Sequence, residues 1–128
     1  MTEEKHWELD MNAGPIFVQI GDNVRQMLAR GDLKQGDKLP SARELAAMLG
    51  VNPNTVVHAY GELERMEVIE TKRGRGTFVR TDAPVTQMRR ELLRNAACGF
   101  AEEVRRLGVD PREALGVLEE VWDVGQPD

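Results

Sequence analysis

The most concentrated basic stretch of the sequence is "TKRGRGTFVR", residues 71–80, whose side chains have the chemistry of a phosphate-binding surface. It carries four cationic side chains and no acidic residue: Lys72, Arg73, Arg75 and Arg80. Gly74 and Gly76 stand between the cations and give the backbone room for positive φ and for close approach to another surface. Arginine and lysine in such a setting bind phosphate oxygens. A solvated hairpin tip is the alternative, and this stretch alone favours neither.

The net charge of −5 is unexpected for a phosphate-binding protein until it is divided along the chain. Residues 23–81 hold ten Lys or Arg against seven Asp or Glu, a balance of +3, so the rest of the chain carries −8. A local basic patch, rather than the overall charge, is what a phosphate-binding surface requires. The charge distribution therefore favours residues 23–81 as the part that binds an anionic partner.

A second polar group lies in "VNPNTVVHAY", residues 51–60. Proline is tolerated at the first position of a helix and asparagine is favoured just before it, so Asn52 is predicted to cap a helix that begins at the proline. Apolar residues three or four apart then form one helical face: Val56, Ala59, Tyr60 and Leu63. The opposite face carries Asn54, Thr55 and His58 at the N-terminal end of the helix.

Helical and turn signals define the elements that would position these residues. A first helix is predicted over about 15–31 and a second over about 41–49, where Ser41 and Glu44 form an S-x-x-E capping box. The intervening residues, 31–40, are rich in turn formers and are predicted to be too short for a further element. Two short helices joined by a turn containing glycine are the outline of a helix-turn-helix.

The pattern changes after the third helix, in "VIETKRGRGTFV". Two short β-rich runs, 68–71 and 77–80, are separated by residues that include glycine, which predicts a hairpin. A Gly-x-Gly between two strands does not favour a dinucleotide-binding loop. The predicted fold class is therefore mainly α with a small β-hairpin, namely a winged helix-turn-helix followed by a two-helix hairpin.

The C-terminal part is predicted to form two amphipathic helices. The first carries an apolar stripe that ends at Gly108: Val85, Met88, Leu92, Ala96, Phe100, Val104 and Leu107. Asp110 is the predicted cap of the second, which carries Leu115, Leu118, Val121 and Trp122. A hairpin of this size cannot bury both stripes within itself, so a partner is expected, most simply the same hairpin of a second chain.

These signals divide the chain into four parts. We predict a flexible N-terminal segment over 1–13, a winged helix-turn-helix over 14–81, a dimerisation region over 82–124 and a tail over 125–128. The predicted dimer contacts are the apolar side chains of the two C-terminal helices: Met88, Leu92, Ala96, Phe100, Val104, Leu115, Leu118 and Trp122.

Several classes of protein are not favoured by the sequence. No run approaches the roughly 20 apolar residues of a membrane-spanning helix, and the polar start does not resemble a signal peptide, so a cytoplasmic protein is expected. Cys98 is the single cysteine and is interpreted as a buried, unreactive residue. His6 and His58 are isolated and no grouping of nucleophile, base or metal ligands is visible, so we expect no enzyme activity, metal or cofactor.

Three motifs follow one another between residues 31 and 79: "G-x-L-x-x-G-x-x-L-P-S-x-R-x-L-A", "N-x-x-T-V-x-x-A-Y" and "G-x-G-T-F-V". In order and spacing they resemble the winged helix-turn-helix of the GntR family of bacterial transcription regulators. The resemblance covers about residues 15–80. It implies a homodimer that binds double-stranded operator DNA, with the third helix in the major groove and the wing near the minor groove.

The resemblance also implies which residues contact DNA. These are Ser41, Arg43, Asn52, Asn54, Thr55, His58, Lys72, Arg73, Gly74, Arg75, Gly76 and Thr77. Arg43 is a strong candidate because a guanidinium can grip a guanine edge or a phosphate with two hydrogen bonds. Asn52 is alternatively only a cap and Thr55 only a surface residue.

One departure from the family concerns base readout. Family members often place Arg or Lys immediately after T-V, whereas Val57 and His58 stand here. Val57 could contact a thymine methyl group, and His58 could donate to a phosphate or a base or be a solvated helix residue.

The predicted function is that of a sequence-specific regulator, most simply a repressor that binds a pseudo-palindromic operator. Larger subgroups of the family append an effector-binding or aminotransferase-like domain, and the residues after the wing are too few for either. The resemblance is therefore to the short YtrA-type subgroup, and the sequence does not indicate whether a small-molecule effector binds. The alternative is a winged-helix adaptor that binds protein and not DNA.

Overall fold

A computed structural model describes residues 7–125, which form five helices and three strands. In chain order they are α1 (Ile16–Arg30), β1 (Lys38–Leu39), α2 (Ala42–Leu49), α3 (Pro53–Arg65), β2 (Ile69–Lys72), β3 (Gly76–Val79), α4 (Val85–Leu107) and α5 (Pro111–Val124). The predicted fold class, mainly helical with a hairpin wing, is confirmed. No helix within residues 7–125 has the length and apolar character needed to cross a membrane.

The chain divides into two compact units, an N-terminal unit up to Arg90 and a C-terminal unit from Glu91 onwards. The core of the N-terminal unit is formed by the apolar faces of α1, α2 and α3 together with the sheet. On α3 the predicted inward residues are all buried: Val56, Ala59, Tyr60 and Leu63. The helical periodicity therefore identified the face of α3 that packs inward, and with it the face that remains outside.

The sheet contains a strand that the sequence did not predict. The strands lie in the order β1-β3-β2, both pairings are antiparallel, and Lys38 pairs with Phe78. The prediction that residues 31–40 are too short for a further element is therefore wrong. Two residues suffice because β3 offers them a free edge and because Leu39, 2% exposed, is buried in the core.

Part of the predicted flexible N-terminal segment is held against α1. The backbone of Glu8 donates to Asn23 Oδ1 at 2.8 Å and accepts from Asn23 Nδ2 at 2.9 Å. The backbone of Asp10 forms the same pair of bonds with the side chain of Gln19, each at 2.8 Å. Two side-chain amides on α1 thus hold the backbones of Glu8 and Asp10 against the helix. Residues 1–6 lie outside the described residues.

The N-terminal unit extends beyond the predicted boundary at residue 81 because the start of α4 packs into it. Arg89 Nε donates to the carbonyl oxygen of Ala29 at 3.0 Å, and Met88 is only 6% exposed. Met88 is therefore buried within a single chain and has little surface for the dimer contact that the sequence predicted.

The apolar stripes of the C-terminal unit are exposed in the single chain. Leu92 and Val104 are half-buried, whereas Ala96, Phe100, Leu115, Leu118 and Trp122 are exposed. Cys98 is also exposed, so its interpretation as a buried residue is wrong. The reason is that α4 buries only Met88 among its residues and offers Cys98 no core to enter.

Candidate nucleic-acid interface

The start of α2 is fixed by a capping box that leaves Arg43 free. Ser41 Oγ accepts from the backbone N–H of Glu44 at 3.0 Å, and Glu44 Oε1 accepts from the backbone N–H of Ser41 at 2.9 Å. The predicted capping box is therefore confirmed. Arg43 is exposed on the first turn, and its guanidinium forms no ion pair with an acidic residue within 7–125. A free guanidinium at a helix N-terminus is available to bind an anion.

The start of α3 has a similar arrangement. Asn52 Oδ1 accepts from the backbone N–H of Asn54 at 2.8 Å, so Asn52 acts as the predicted cap and Pro53 is the first helical residue. The side chain of Asn54 is exposed, whereas Thr55 is half-buried. Asn54 is therefore the polar side chain with the most open position on the first turn of α3.

Tyr60 ties these two helix starts together. Its hydroxyl donates to the carbonyl oxygen of Pro40 at 2.8 Å, immediately before the cap of α2. Burial, and secondly the charge of Glu44, raises the pKa of Tyr60, so the hydroxyl stays protonated and remains a donor. A residue on the inner face of α3 thus anchors the chain immediately before the cap of α2.

Replacing Tyr60 with Phe is expected to lower the free energy of unfolding by about 1 kcal/mol. The hydroxyl is lost and the carbonyl oxygen of Pro40 keeps no donor from α3. Thermal unfolding followed by circular dichroism measures the effect, with an expected fall in Tm of roughly 3–6 °C. An unchanged Tm would show that this hydrogen bond contributes nothing to stability.

His58 is engaged by an aromatic residue of α1. Its ring stacks on Phe17 with the ring centroids 3.8 Å apart and the planes inclined by 12°. The stack accounts for the position of the imidazole without any DNA contact.

The wing consists of β2, β3 and a tight turn over 73–75. The turn is closed by the backbone N–H of Arg75, which donates to the carbonyl oxygen of Lys72 at 2.8 Å. Gly76, at φ 123°, adopts a conformation that favours glycine, and a Cβ there would stand 2.8 Å from Cε of Lys38. Because Lys38 Cε is the far end of a flexible side chain that can move aside, it is the positive φ, and not this contact, that favours glycine here.

The cations of the wing differ in how far their charge is compensated. Lys72 Nζ lies 3.9 Å from Glu70 Oε2 and 5.2 Å from the centroid of the Phe78 ring. Arg80 binds Asp82 through two hydrogen bonds of 2.7 and 2.9 Å, which raises the pKa of Arg80 and lowers the pKa of Asp82.

Arg73 and Arg75, by contrast, are exposed at the tip of the wing. Neither forms an ion pair with any acidic group between residues 7 and 125. These two arginines are therefore the wing cations with the freest charge.

The positions of Thr77 and Lys38 were not anticipated by the sequence analysis. Thr77 is only 9% exposed, because β3 is the central strand and Thr77 pairs with both Leu39 and Thr71. Its side chain therefore has little surface for DNA. Lys38 was not among the predicted site residues, yet β1 places its side chain against Gly76. No local signal identifies Lys38, because its place on the wing depends on pairing with a strand distant in sequence.

The wing is also attached to α3. Thr71 Oγ1 donates to Glu64 Oε2 at 2.9 Å, so β2 and the last turns of α3 are linked through side chains. The predicted site residues thus lie on three connected parts of the N-terminal unit: the start of α2, the start of α3 and the wing.

Comparison with the sequences of known proteins identifies the family of this chain. The family model described as "Bacterial regulatory proteins, gntR family" matches residues 17–79. The HTH-type transcriptional regulator YhcF of Bacillus subtilis is 41% identical over 102 residues, covering 79% of this chain and 84% of that protein. The HTH-type transcriptional repressor YtrA of the same organism is 41% identical over 109 residues, covering 85% of this chain and 80% of that protein.

Solved structures agree with this assignment. A GntR family transcriptional regulator from Listeria monocytogenes matches with a TM-score of 0.76 and 33% identity, covering 88% of this chain and 99% of the other. The DNA-binding domain of AraR in complex with an operator matches with a TM-score of 0.50 and 26% identity, covering 58% of this chain and 89% of the other. The chain therefore belongs to the GntR family and is a DNA-binding transcription regulator, not an enzyme.

Proposed function

We propose that the chain is a repressor that binds a pseudo-palindromic operator as a homodimer. The observation that carries the proposal is a set of exposed guanidinium groups that form no ion pair within residues 7–125, Arg43 at the start of α2 and Arg73 and Arg75 on the wing. The relative named as a repressor, which matches most of this chain, supports the direction of regulation. The proposed ligand is chromosomal DNA, so the proposed compartment is the cytoplasm.

The chemistry of each group of residues indicates which part of the DNA we propose that it contacts. Arg73 and Arg75 bind phosphates at the tip of the wing, where Gly74 lets the backbone come close. The start of α3 enters the major groove, and the exposed Asn54 side chain meets phosphates and base edges. Arg43 binds a guanine edge or a phosphate from the start of α2.

Support for a homodimer comes from the C-terminal unit. Phe100 is 40% exposed, Leu118 is 42% exposed and Trp122 is 61% exposed in the single chain. Exposed apolar side chains of this size, carried by both α4 and α5, mark an interaction surface. A second copy of the same hairpin is the simplest partner, because a two-fold interface places identical stripes against each other. We assign no effector.

The wing arginines and Arg43 are expected to respond differently to substitution. Arg73→Ala or Arg75→Ala should weaken binding to all DNA sequences about equally, because phosphates carry no sequence information. If Arg43 contacts a base, Arg43→Ala should weaken the free energy of binding to the operator by roughly 1–3 kcal/mol and reduce the preference for the operator over random DNA. Gel-shift titrations with the DNA upstream of the chain's own gene and with random duplexes of equal length measure both effects.

Arg105→Ala is the matched control, because Arg105 is exposed on α4 in the C-terminal unit and its loss removes the same charge. Equal losses on operator and random DNA would assign Arg43 to a phosphate. A wild-type protein that shifts neither DNA would contradict the proposed function and favour the adaptor.

A further inference from the structure

The outer face of α3 carries an exposed apolar side chain, Val57. Opposite the buried face lie Asn54, Val57 and Gly61, spaced three and four residues apart, and all three are exposed. Val57 is 56% exposed although it lies on a helix whose neighbouring outer positions are polar. Nothing within the N-terminal unit covers this valine, so its surface is available to a ligand of the helix.

The polar residues beside Val57 are already engaged within the chain. The ring of His58 is stacked on Phe17, and the side chain of Asn52 caps the helix. Glu62 forms an ion pair with Arg65. Asn54 and Val57 are thus exposed side chains of the first two turns with no hydrogen bond, ion pair or ring contact within residues 7–125, whereas Thr55 is half-buried.

Gly61 lies one helical turn after Val57 and has no role in the packing of the chain. Its φ is not positive, and a Cβ added there would meet no atom within 4 Å. Glycine inside a helix is less favourable than alanine. No packing contact in this unit explains why a glycine stands at position 61. The absence of a side chain does let the outer surface of α3 approach another molecule more closely.

We propose that Val57 contacts the 5-methyl group of a thymine in the major groove of each operator half-site, and that Gly61 allows α3 the close approach this contact needs. The methyl group of thymine is the apolar feature of the major groove, and a valine cannot hydrogen bond to the edges of the other bases. The inference rests on the proposed operator binding and adds one base to it: each half-site carries an A·T pair opposite Val57.

The test removes single methyl groups from the DNA. An operator is first selected by the full-length protein from a pool of random duplexes, and each thymine is then replaced in turn by uracil. At one position per half-site, uracil is expected to weaken wild-type binding about fourfold, the effect of burying one methyl group. The Val57→Ala protein, whose side chain ends at Cβ, should discriminate between thymine and uracil at that position less than the wild type, while uracil elsewhere affects both proteins alike.

The Gly61→Ala variant tests whether operator binding needs the close approach of α3 to the DNA, independently of the stability of the protein. Gly61→Ala is expected to raise Tm by roughly 3–5 °C and to weaken operator binding by about fourfold or more, because the methyl contact that needs the close approach is lost, so that stability and affinity change in opposite directions. Gly116→Ala is the matched control, because Gly116 lies inside α5 with no atom within 4 Å of an added Cβ. It should raise Tm without changing affinity.

Each negative result has one meaning. If uracil has no effect at any position, or if Val57→Ala keeps the same preference for thymine, the methyl contact is wrong. If Gly61→Ala binds the operator as tightly as the wild type, the close approach is wrong. Failure of the wild-type protein to select any operator would instead overturn the proposed function, and this inference with it.

Discussion

Affinity for the operator is expected to fall by about 10³-fold or more between 50 and 200 mM salt, if a dimer contacts roughly 6–10 phosphates. Each phosphate contact releases condensed counterions, and this release becomes less favourable as the salt concentration rises. The free guanidinium groups of Arg73 and Arg75, doubled in a dimer, supply part of these contacts. Fluorescence anisotropy titrations of a labelled operator at several salt concentrations give the slope of log affinity against log salt.

The Arg73→Ala protein provides the internal comparison. Its slope should be shallower by about two, because one phosphate contact is lost from each of two protomers. Arg105→Ala should leave the slope unchanged. An affinity that does not depend on salt would show that phosphate contacts do not contribute to operator binding.

A charge in the apolar stripe of α4 is expected to convert the dimer into a folded monomer. In Leu92→Asp or Phe100→Asp, association would bury an unpaired carboxylate, at a cost of several kcal/mol. Because Phe100 is 40% exposed in the single chain, the monomer itself can accommodate the change. Light scattering measures the mass, circular dichroism checks the fold, and a titration is expected to show only weak binding to a half-site.

Cys98→Asp is the matched control for these variants. Cys98 is exposed two residues before Phe100, which places it on the opposite side of the helix, and the substitution adds the same charge. This protein should remain a dimer and bind the operator normally. If Leu92→Asp and Phe100→Asp also remain dimers, the interface lies elsewhere in the chain.

Features that depend on local chemistry were predictable from the sequence. The Asn52 cap with Pro53, the capping box at Ser41 and the Asp110 cap fix the starts of α3, α2 and α5 through interactions within one turn. The inward face of α3 follows from helical periodicity, which is also local. The positions of Arg43 and of the wing arginines follow from these elements.

Features that depend on contacts between distant residues were not predictable. β1 exists because β3 pairs with it, and this pairing both buries Thr77 and brings Lys38 to the wing. Met88 fits the helical stripe of α4, yet it is buried in the N-terminal unit. The ring of His58, on α3, stacks on Phe17 of α1. The sequence of α3 alone predicts a DNA contact for His58 and gives no sign of this partner inside the chain.

The measurement that tests the central claim most directly is a hydroxyl-radical footprint of the wild-type protein on the operator. A homodimer that inserts α3 of each protomer into the major groove predicts two protected segments related by two-fold symmetry, with centres about 34 Å apart, one turn of the duplex. The protected sequence should be a pseudo-palindrome with the same spacing. A single protected segment without symmetry would contradict the account.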